Sequence, residues 1–301
     1  MPGIIEEAKE KSSLVPRIRS EETDRWQCQW SPTLGTLEDT PENIWGTKSF
    51  SYLGEPSVFM GMYSYKDFLG LWTHFQRSEK KPCILWCGGD ILRITKTGYW
   101  LHDTEVMKLQ TEPLAKWINE NCENYVENQV EYDALKAIGI ESKIVPSFLG
   151  KVEDYEVSFK PGNKVYASVS GDNFEQYGWY KIEEMAKQNP DIAFHLYGNV
   201  AEWKTKNKNV IVHGRVKKQQ MNAEIKEMQG GIRLLEFDGF SEILAKSVLW
   251  GQYPISEIEY PHIMKPGQIR EILDKKAPNF KGRNHYLSVL NRYPWNHRLQ
   301  S

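Results

Sequence analysis

Short runs rich in apolar, β-branched and aromatic residues alternate along this sequence with longer segments whose apolar residues recur every three or four positions. That rhythm restricts the fold severely. A period of two followed by a period near 3.6, repeated, is the pattern of βαβ units, whose parallel strands need helices on both faces. In the first half, 57–62 reads as a strand, and Tyr65, Phe68, Leu69, Trp72 and Phe75 share one face of the helix after it. Residues 83–87 form the next strand. Tyr125 opens another, Val130, Ala134, Leu135 and Ile138 mark a helix stopped at Gly139, and 142–145 is a strand ended by Pro146. The second half repeats the rhythm with strands at 164–170, 192–197, 209–212, 232–235 and 254–257. Ile182, Met185 and Ala186 lie on one intervening helix, Met221, Ile225 and Met228 on a second, and Ile243, Leu244, Ser247 and Val248 on a third.

At 301 residues the chain exceeds the usual size of one domain, so two α/β/α domains are expected. The polar stretch 151–163, with Pro161 and Gly162, is the linker between a domain over 23–150 and one over 151–283. The apolar run from Tyr286 to Trp295 reads as a C-terminal helix within 284–301, packed on its own domain or crossing back to the first. Residues 1–22 mix acids and bases without an apolar run, which predicts a disordered segment and no signal peptide. Nowhere do about 18 apolar residues run together, so a cytoplasmic protein with at most peripheral membrane contact is expected. Cys28, Cys83, Cys87 and Cys122 make no CxxC pair and read as reduced thiols, Cys83 and Cys87 as two small buried groups on one face of a strand. A net charge of -2 gives no electrostatic footprint for nucleic acid. Parallel sheets take ligands beyond the carboxyl ends of their strands, so function belongs in the loops that follow strands.

The densest such loop is Arg233-Leu-Leu-Glu236-Phe-Asp238-Gly239-Phe240-Ser241-Glu242, running from a strand through a glycine turn into a helix. Gly239 lets the backbone approach a ligand closely, and the helix-terminal amides, with Ser241 as the cap, favour phosphate oxygens. Glu236 and Asp238 are acceptors for sugar hydroxyls beside that phosphate. Trp250-Gly251-Gln252-Tyr253-Pro254-Ile255 follows, a glycine helix stop leading into a strand.

These residues resemble the donor-binding signature of GT-B glycosyltransferases, specifically the family 4-like members of glycosyl transferases group 1. There a strand, an acidic residue, Gly-Phe, a helix and Gly-x-Pro follow in this order. Glu175-Gln176-Tyr177-Gly178, Asn189-Pro190-Asp191 with Tyr197-Gly198, and Lys208-Asn209-Val210 with His213-Gly214-Arg215 look like successive landmarks of the same domain, over roughly 163–258. The resemblance implies an α/β fold of GT-B type: two Rossmann-like domains, their parallel sheets facing a central cleft. It implies a hexosyltransferase-like enzyme using a UDP- or GDP-sugar as co-substrate, without cofactor or metal, and retaining the anomeric configuration. The sequence departs from the pattern twice. Eight positions after Asp238, where the family carries an acid for the nucleotide ribose, stands Lys246, which cannot accept hydrogen bonds; counting from Glu236 reaches Leu244. The family's diphosphate-binding Arg and Lys are also missing, Gly171-Asp172 and Tyr177-Gly178 standing in their place, so Arg233, Arg215 or Lys246 is expected to supply the positive charge.

In the first half, Trp86-Cys87-Gly88-Gly89-Asp90 follows a strand and is similar to a Trp-x-Gly-x-Asp segment of some members of this group. Its paired glycines expose amides, and Asp90 is the expected proton acceptor, with His102 of the His102-Asp103 pair as the other candidate base. Gly61, opening the loop Gly61-Met62-Tyr63-Ser64, is a further candidate contact for phosphate or acceptor, or a helix entry capped by Ser64. His195, inside a strand, reads as a satisfied core or sheet-face residue. No Asp-x-Asp metal motif occurs. The expected acceptor is a glycan, a lipid-linked sugar or a protein. A nucleotide-sugar epimerase and a catalytically silent sugar- or nucleotide-binding protein remain as alternatives.

Overall fold

A computed structural model describes residues 25–34, 40–51, 55–97, 111–168, 174–175, 177–198 and 203–299. The expectations for 1–22, Gly171-Asp172 and His102 lie outside them. The chain forms two compact units, one of residues 1–149 with 291–301, the other of residues 150–290.

In the first unit the order is β1 (Gln27–Trp30), α1 (Pro41–Trp45), β2 (Lys48–Ser49), β3 (Ser57–Met60), α2 (Tyr65–Phe75), β4 (Cys83–Leu85), α3 (Gly89–Thr97), α4 (Thr111–Asn121), β5 (Glu123–Val126), α5 (Gln129–Lys136) and β6 (Lys143–Ile144). All six strands are parallel, in the order β2-β1-β3-β4-β5-β6. Ser64 starts α2 through a capping box with Asp67, so the helix entry read at Ser64 is present. The helix is rotated from its expected face. Asp67, Leu71 and His74 are buried, whereas Leu69 is 51% exposed; Phe68, Trp72 and Phe75 pack on Trp117 of α4, their ring centroids 5.1–5.6 Å from it. An aromatic stripe here joins two helices instead of covering the sheet.

The run Tyr286–Trp295 is not one helix. Its helix spans Phe280–Val289, Leu290 turns extended, and Asn291 adopts φ 54°. The side chain of Asn291 accepts from the Phe148 amide and donates to the Phe148 carbonyl, at 2.9 and 2.8 Å. Beyond it Trp295 and Tyr293 stack at 4.4 Å and pack with Trp45 and Tyr125 in the first unit's core. Burying such rings stabilises the unit by roughly 2–3 kcal/mol each before conformational entropy is counted.

The second unit runs β7 (Lys164–Ser168), α6 (Trp179–Gln188), β8 (Ala193–Tyr197), β9 (Val210–Gly214), α7 (Lys218–Ile225), β10 (Gly230–Arg233), α8 (Glu242–Leu249), β11 (Ile255–Ser256), a 3-10 helix (Pro266–Asp274) and α9 (Phe280–Val289). Its five parallel strands lie in the order β11-β10-β7-β8-β9. Val165, Phe194, Leu196, Ile232 and Leu234 form one face, covered by Trp179, Ile182 and Met185 of α6 and Ile269 and Ile272 of the 3-10 helix. The other face is more polar. There the Tyr166 hydroxyl donates to Gln252, the Tyr197 hydroxyl donates to Glu224 of α7, and Ser247 of α8 accepts from the Gly231 amide. Among the described residues no helix is long and apolar enough to cross a membrane.

Candidate functional site

Strand order locates the site in each unit before any side chain is considered. In the second sheet β7 leads to β8 and β9 on one side, and the chain then returns to lay β10 and β11 on the other. Connections leave in opposite directions from β7 and β10, which opens a crevice at their carboxyl ends. Arg233 is the last residue of β10 and Tyr177-Gly178 leads into α6 after β7, so the sequence motifs meet at that switch point.

The two chain exits touch. Gly178 sits at φ 69°, and a Cβ there would lie 2.4 Å from the Leu234 carbonyl oxygen, so only glycine fits. The Arg233 guanidinium lies 4.5 Å from the centre of the Tyr177 ring, and its Nε donates to Asp238 Oδ2 at 2.7 Å. With 14% of its side chain exposed, Arg233 is held by a ring face and a carboxylate, an arrangement that fixes a planar donor for an anion. Glu236 is 86% exposed and ion-paired with Lys181 at 3.3 Å; the same Lys181 amine bonds Glu257 at 2.8 Å. Those bonds, first to Glu257 and then to Glu236, raise the Lys181 pKa against the opposing effect of burial. Lys181 and Glu257 thus join the site, and nothing in the local sequence pattern marks them.

The remaining motif residues differ in how the protein holds them. Phe240 is buried, stacked at 4.8 Å on Tyr286 and edge-on to Tyr260, so it anchors the turn from below. The Gly239 carbonyl accepts from the Tyr260 hydroxyl at 3.1 Å. Ser241 caps α8 by accepting from the Ile243 amide. Arg215 is exposed in the loop after β9. Lys246 is 2% exposed within α8. A shallow cavity lined by Lys160, Gly162, Lys164, Glu224 and Gln229 lies at the amino end of β7, the wrong edge of a parallel sheet for this site.

In the first unit the switch point lies between β1 and β3. Gly61 leaves β3 there at φ 77°, and a Cβ on it would meet the Tyr63 ring at 2.8 Å. Gly88 follows β4 at φ 75° and Gly89 begins α3, with the Tyr63 hydroxyl donating to the Cys87 carbonyl between the two loops. Asp90 is 0% exposed. Its carboxylate accepts from the amides of Met62, Cys87 and Ile91 at 2.8–3.0 Å, tying both loops together. Burial raises its pKa to about 6 against the lowering effect of those amides. Asp90 therefore joins the two loops through its carboxylate. In the same unit Glu127 accepts from both the amide and the hydroxyl of Ser147, and Glu131 accepts from the Glu127 amide, acids that the sequence motifs do not mark.

His195 differs from its expected satisfied state. It is buried on the sheet face, but its Nε2 has no partner, while Nδ1 bonds His213 Nε2 at 2.9 Å. Tyr197 stacks on His213 at 4.2 Å and shares Glu224 with it.

No family model matches the sequence, and no curated protein matches it. Solved structures match in shape. Sucrose-phosphate synthase from Thermosynechococcus elongatus superposes with a TM-score of 0.58 at 11% identity, covering 82% of this chain and 73% of that one. HepE from Anabaena, solved with UDP and glucose, gives 0.50 at 11% identity, covering 93% and 98%. TarM from S. aureus, solved with UDP and alpha-GlcNAc-glycerol among its ligands, gives 0.50 at 12% identity and covers 81% of this chain, which spans 54% of TarM, about half its length. These are GT-B glycosyltransferases, and the fold described above is theirs.

Proposed function

We propose that this protein is a glycosyltransferase that moves a sugar from a UDP- or GDP-sugar to a hydroxyl of a glycan, lipid-linked or protein acceptor in the cytoplasm. The observation that carries the reading is Arg233, fixed between the Tyr177 ring and Asp238 at the switch point of the second sheet. As the bond to the sugar breaks, negative charge collects on the leaving diphosphate. A guanidinium already oriented stabilises that charge without reorganising, and the amino end of α8 adds its partial positive charge. In this reading cations of the chain, Arg233 with Lys246 or Arg215, do what a divalent metal does elsewhere. Glu236 and Asp238 accept from sugar hydroxyls, and Lys181 holds Glu236 in place.

The first unit presents the acceptor on the loops of Gly61, Gly88 and Gly89, with Asp90 as their positioning residue. No carboxylate has to take a proton in a retaining transfer, where the leaving phosphate itself faces the acceptor hydroxyl. His102 is the alternative base should the transfer invert. EDTA-treated protein is expected to transfer sugar from one member of a UDP- and GDP-sugar panel, with the anomeric configuration kept when the product is read by NMR. Strict dependence on a divalent ion overturns the metal-free reading, inversion overturns the retaining one, and nucleotide binding without transfer to any acceptor reduces the protein to a binder. Sugar interconversion with no acceptor present identifies an epimerase.

A further inference from the structure

Lys181 sits in the first turn of α6 and reaches the loops that follow two other strands. Its amine donates to both oxygens of Glu257, beyond β11, at 2.8 and 2.9 Å, and to Oε1 of Glu236, beyond β10, at 3.3 Å. An ammonium carries three protons and no lone pair, and here three carboxylate oxygens take them. The neighbouring amine, Lys265, is directed to the Glu257 main-chain carbonyl at 3.4 Å and pairs with Glu259 at 3.6 Å. Arg233 gives its Nε to Asp238 and, in the reading above, its remaining protons to the diphosphate. What this wall of the crevice offers a ligand is therefore carboxylate oxygen, foremost on Glu236, whose side chain is 86% exposed against 24% for Glu257.

We infer that Lys181, with its protons committed to Glu236 and Glu257, makes the sugar end of the crevice acceptor-only, so that the sugar it takes is neutral or carries an amine and a uronate is refused. The inference deepens the donor reading above and rests on it for the nucleotide. A hydroxyl or an ammonium donates to Glu236 while Lys181 stays on Glu257, so such a sugar enters without breaking the tighter contact. A sugar carboxylate has nothing to donate. To find a proton it would have to draw Lys181 off a carboxylate that already holds it, and it would leave three carboxylates around a single ammonium. Like charges brought together cost binding directly, and specificity follows from that repulsion as much as from attraction to the right sugar. Lys181 acts through Glu236 and is a positioning residue; Glu236 is the group that touches the sugar.

Calorimetry on matched pairs tests this: UDP-glucose with UDP-glucuronate, UDP-N-acetylglucosamine with its uronate, and GDP-mannose with GDP-mannuronate. The members of a pair differ only by a carboxylate in place of a hydroxymethyl group. In the pair whose neutral member binds, the uronate is expected to bind at least about tenfold more weakly. Glu236→Gln removes one charge and adds a donating amide, and should narrow that gap to about threefold or less. Lys181→Met removes the ammonium and should keep or widen the gap, while the Kd of UDP or GDP without a sugar stays at the wild-type value, which a misfolded variant would not show. A uronate that binds as tightly as its neutral partner overturns the inference. So does a gap that Glu236→Gln leaves intact, and so does a gap that closes in Lys181→Met, since the selection would then come from the amine. Should no nucleotide sugar of any pair bind more tightly than its free nucleoside diphosphate, the donor reading itself falls, an outcome that involves no comparison of neutral with acidic sugars.

Discussion

Arg233 illustrates how three ordinary contacts make a specialised donor. The Tyr177 ring takes one face of the guanidinium and Asp238 takes Nε, so the Nη groups keep a fixed direction. A charged hydrogen bond contributes about 1.5–3 kcal/mol, so Arg233→Met should raise the Kd for a nucleoside diphosphate roughly ten- to a hundredfold in calorimetry. A variant that binds as tightly as wild type removes Arg233 from the site. Glu236 calls for the opposite balance. Its side chain is 86% exposed, and Lys181 keeps Glu257 when it is gone, so Glu236→Ala should shift unliganded stability by no more than about 0.5 kcal/mol. The same substitution should erase the rise in Tm that the cognate nucleotide sugar gives wild-type protein; a retained rise means Glu236 does not touch the sugar. Gly178 is structural first. At φ 69°, with the Leu234 carbonyl 2.4 Å from any Cβ, Gly178→Ala should cost roughly 2–4 kcal/mol in urea unfolding, and a loss under about 0.5 would show that the contact relaxes freely.

The strands and helices were legible wherever apolar period and turn residues agreed, as at β8, where 192–197 was expected and Ala193–Tyr197 found. They were misread where the element's residues carry little period. β10 begins at Gly230, two residues before the first large side chain of its run, because a neighbouring strand, not β propensity, holds those glycines in the sheet. The helix α3 begins at Gly89, and a glycine pair reads as loop. Of the candidate site, Arg233, Asp238 and Gly178 were legible because their loop follows a strand. Lys181 and Glu257 were not, since only the strand order brings their elements together. Asp90 belongs to the same lesson: its partners Met62 and Cys87 come from two different loops. Replacing one of its oxygens with an amide sets a donor against a donor, so Asp90→Asn should destabilise the protein by about 2–4 kcal/mol in denaturant titration. Wild-type stability in that variant would show the clamp to be dispensable.

Across the whole molecule, burial shifts ionisable groups in opposite directions, and the two units differ in how those shifts combine. In the first unit burial lowers His74 to about 4 and raises Asp90 to about 6. A histidine with a lowered folded pKa loses stability as pH falls from about 6.5 to about 4, because the unfolded chain takes up the proton first. An aspartate with a raised folded pKa does the reverse: the folded state takes up the proton first, and stability rises as pH falls from about 6 to about 4. Within that unit the two nearly cancel. The second unit holds His195, brought to about 4 by burial and then by His213, and His213 itself is lowered by burial. Glu224, lowered chiefly by its bond from Tyr197, adds a loss on the same side as its carboxylate is protonated. Nothing comparable to Asp90 offsets them among the described groups of that unit. Each lowered histidine forfeits about 1.4 kcal/mol per pH unit over its window, on the order of 3 kcal/mol for His195 by pH 4. Hydrogen exchange read by mass spectrometry at pH 7 and pH 4.5 should therefore show protection falling in peptides covering 193–214 while peptides covering 57–91 hold theirs. His195→Gln, which has no proton to gain, should flatten the difference; equal loss in both units, or no effect of that substitution, would mean that His195 does not set the acid sensitivity of its sheet.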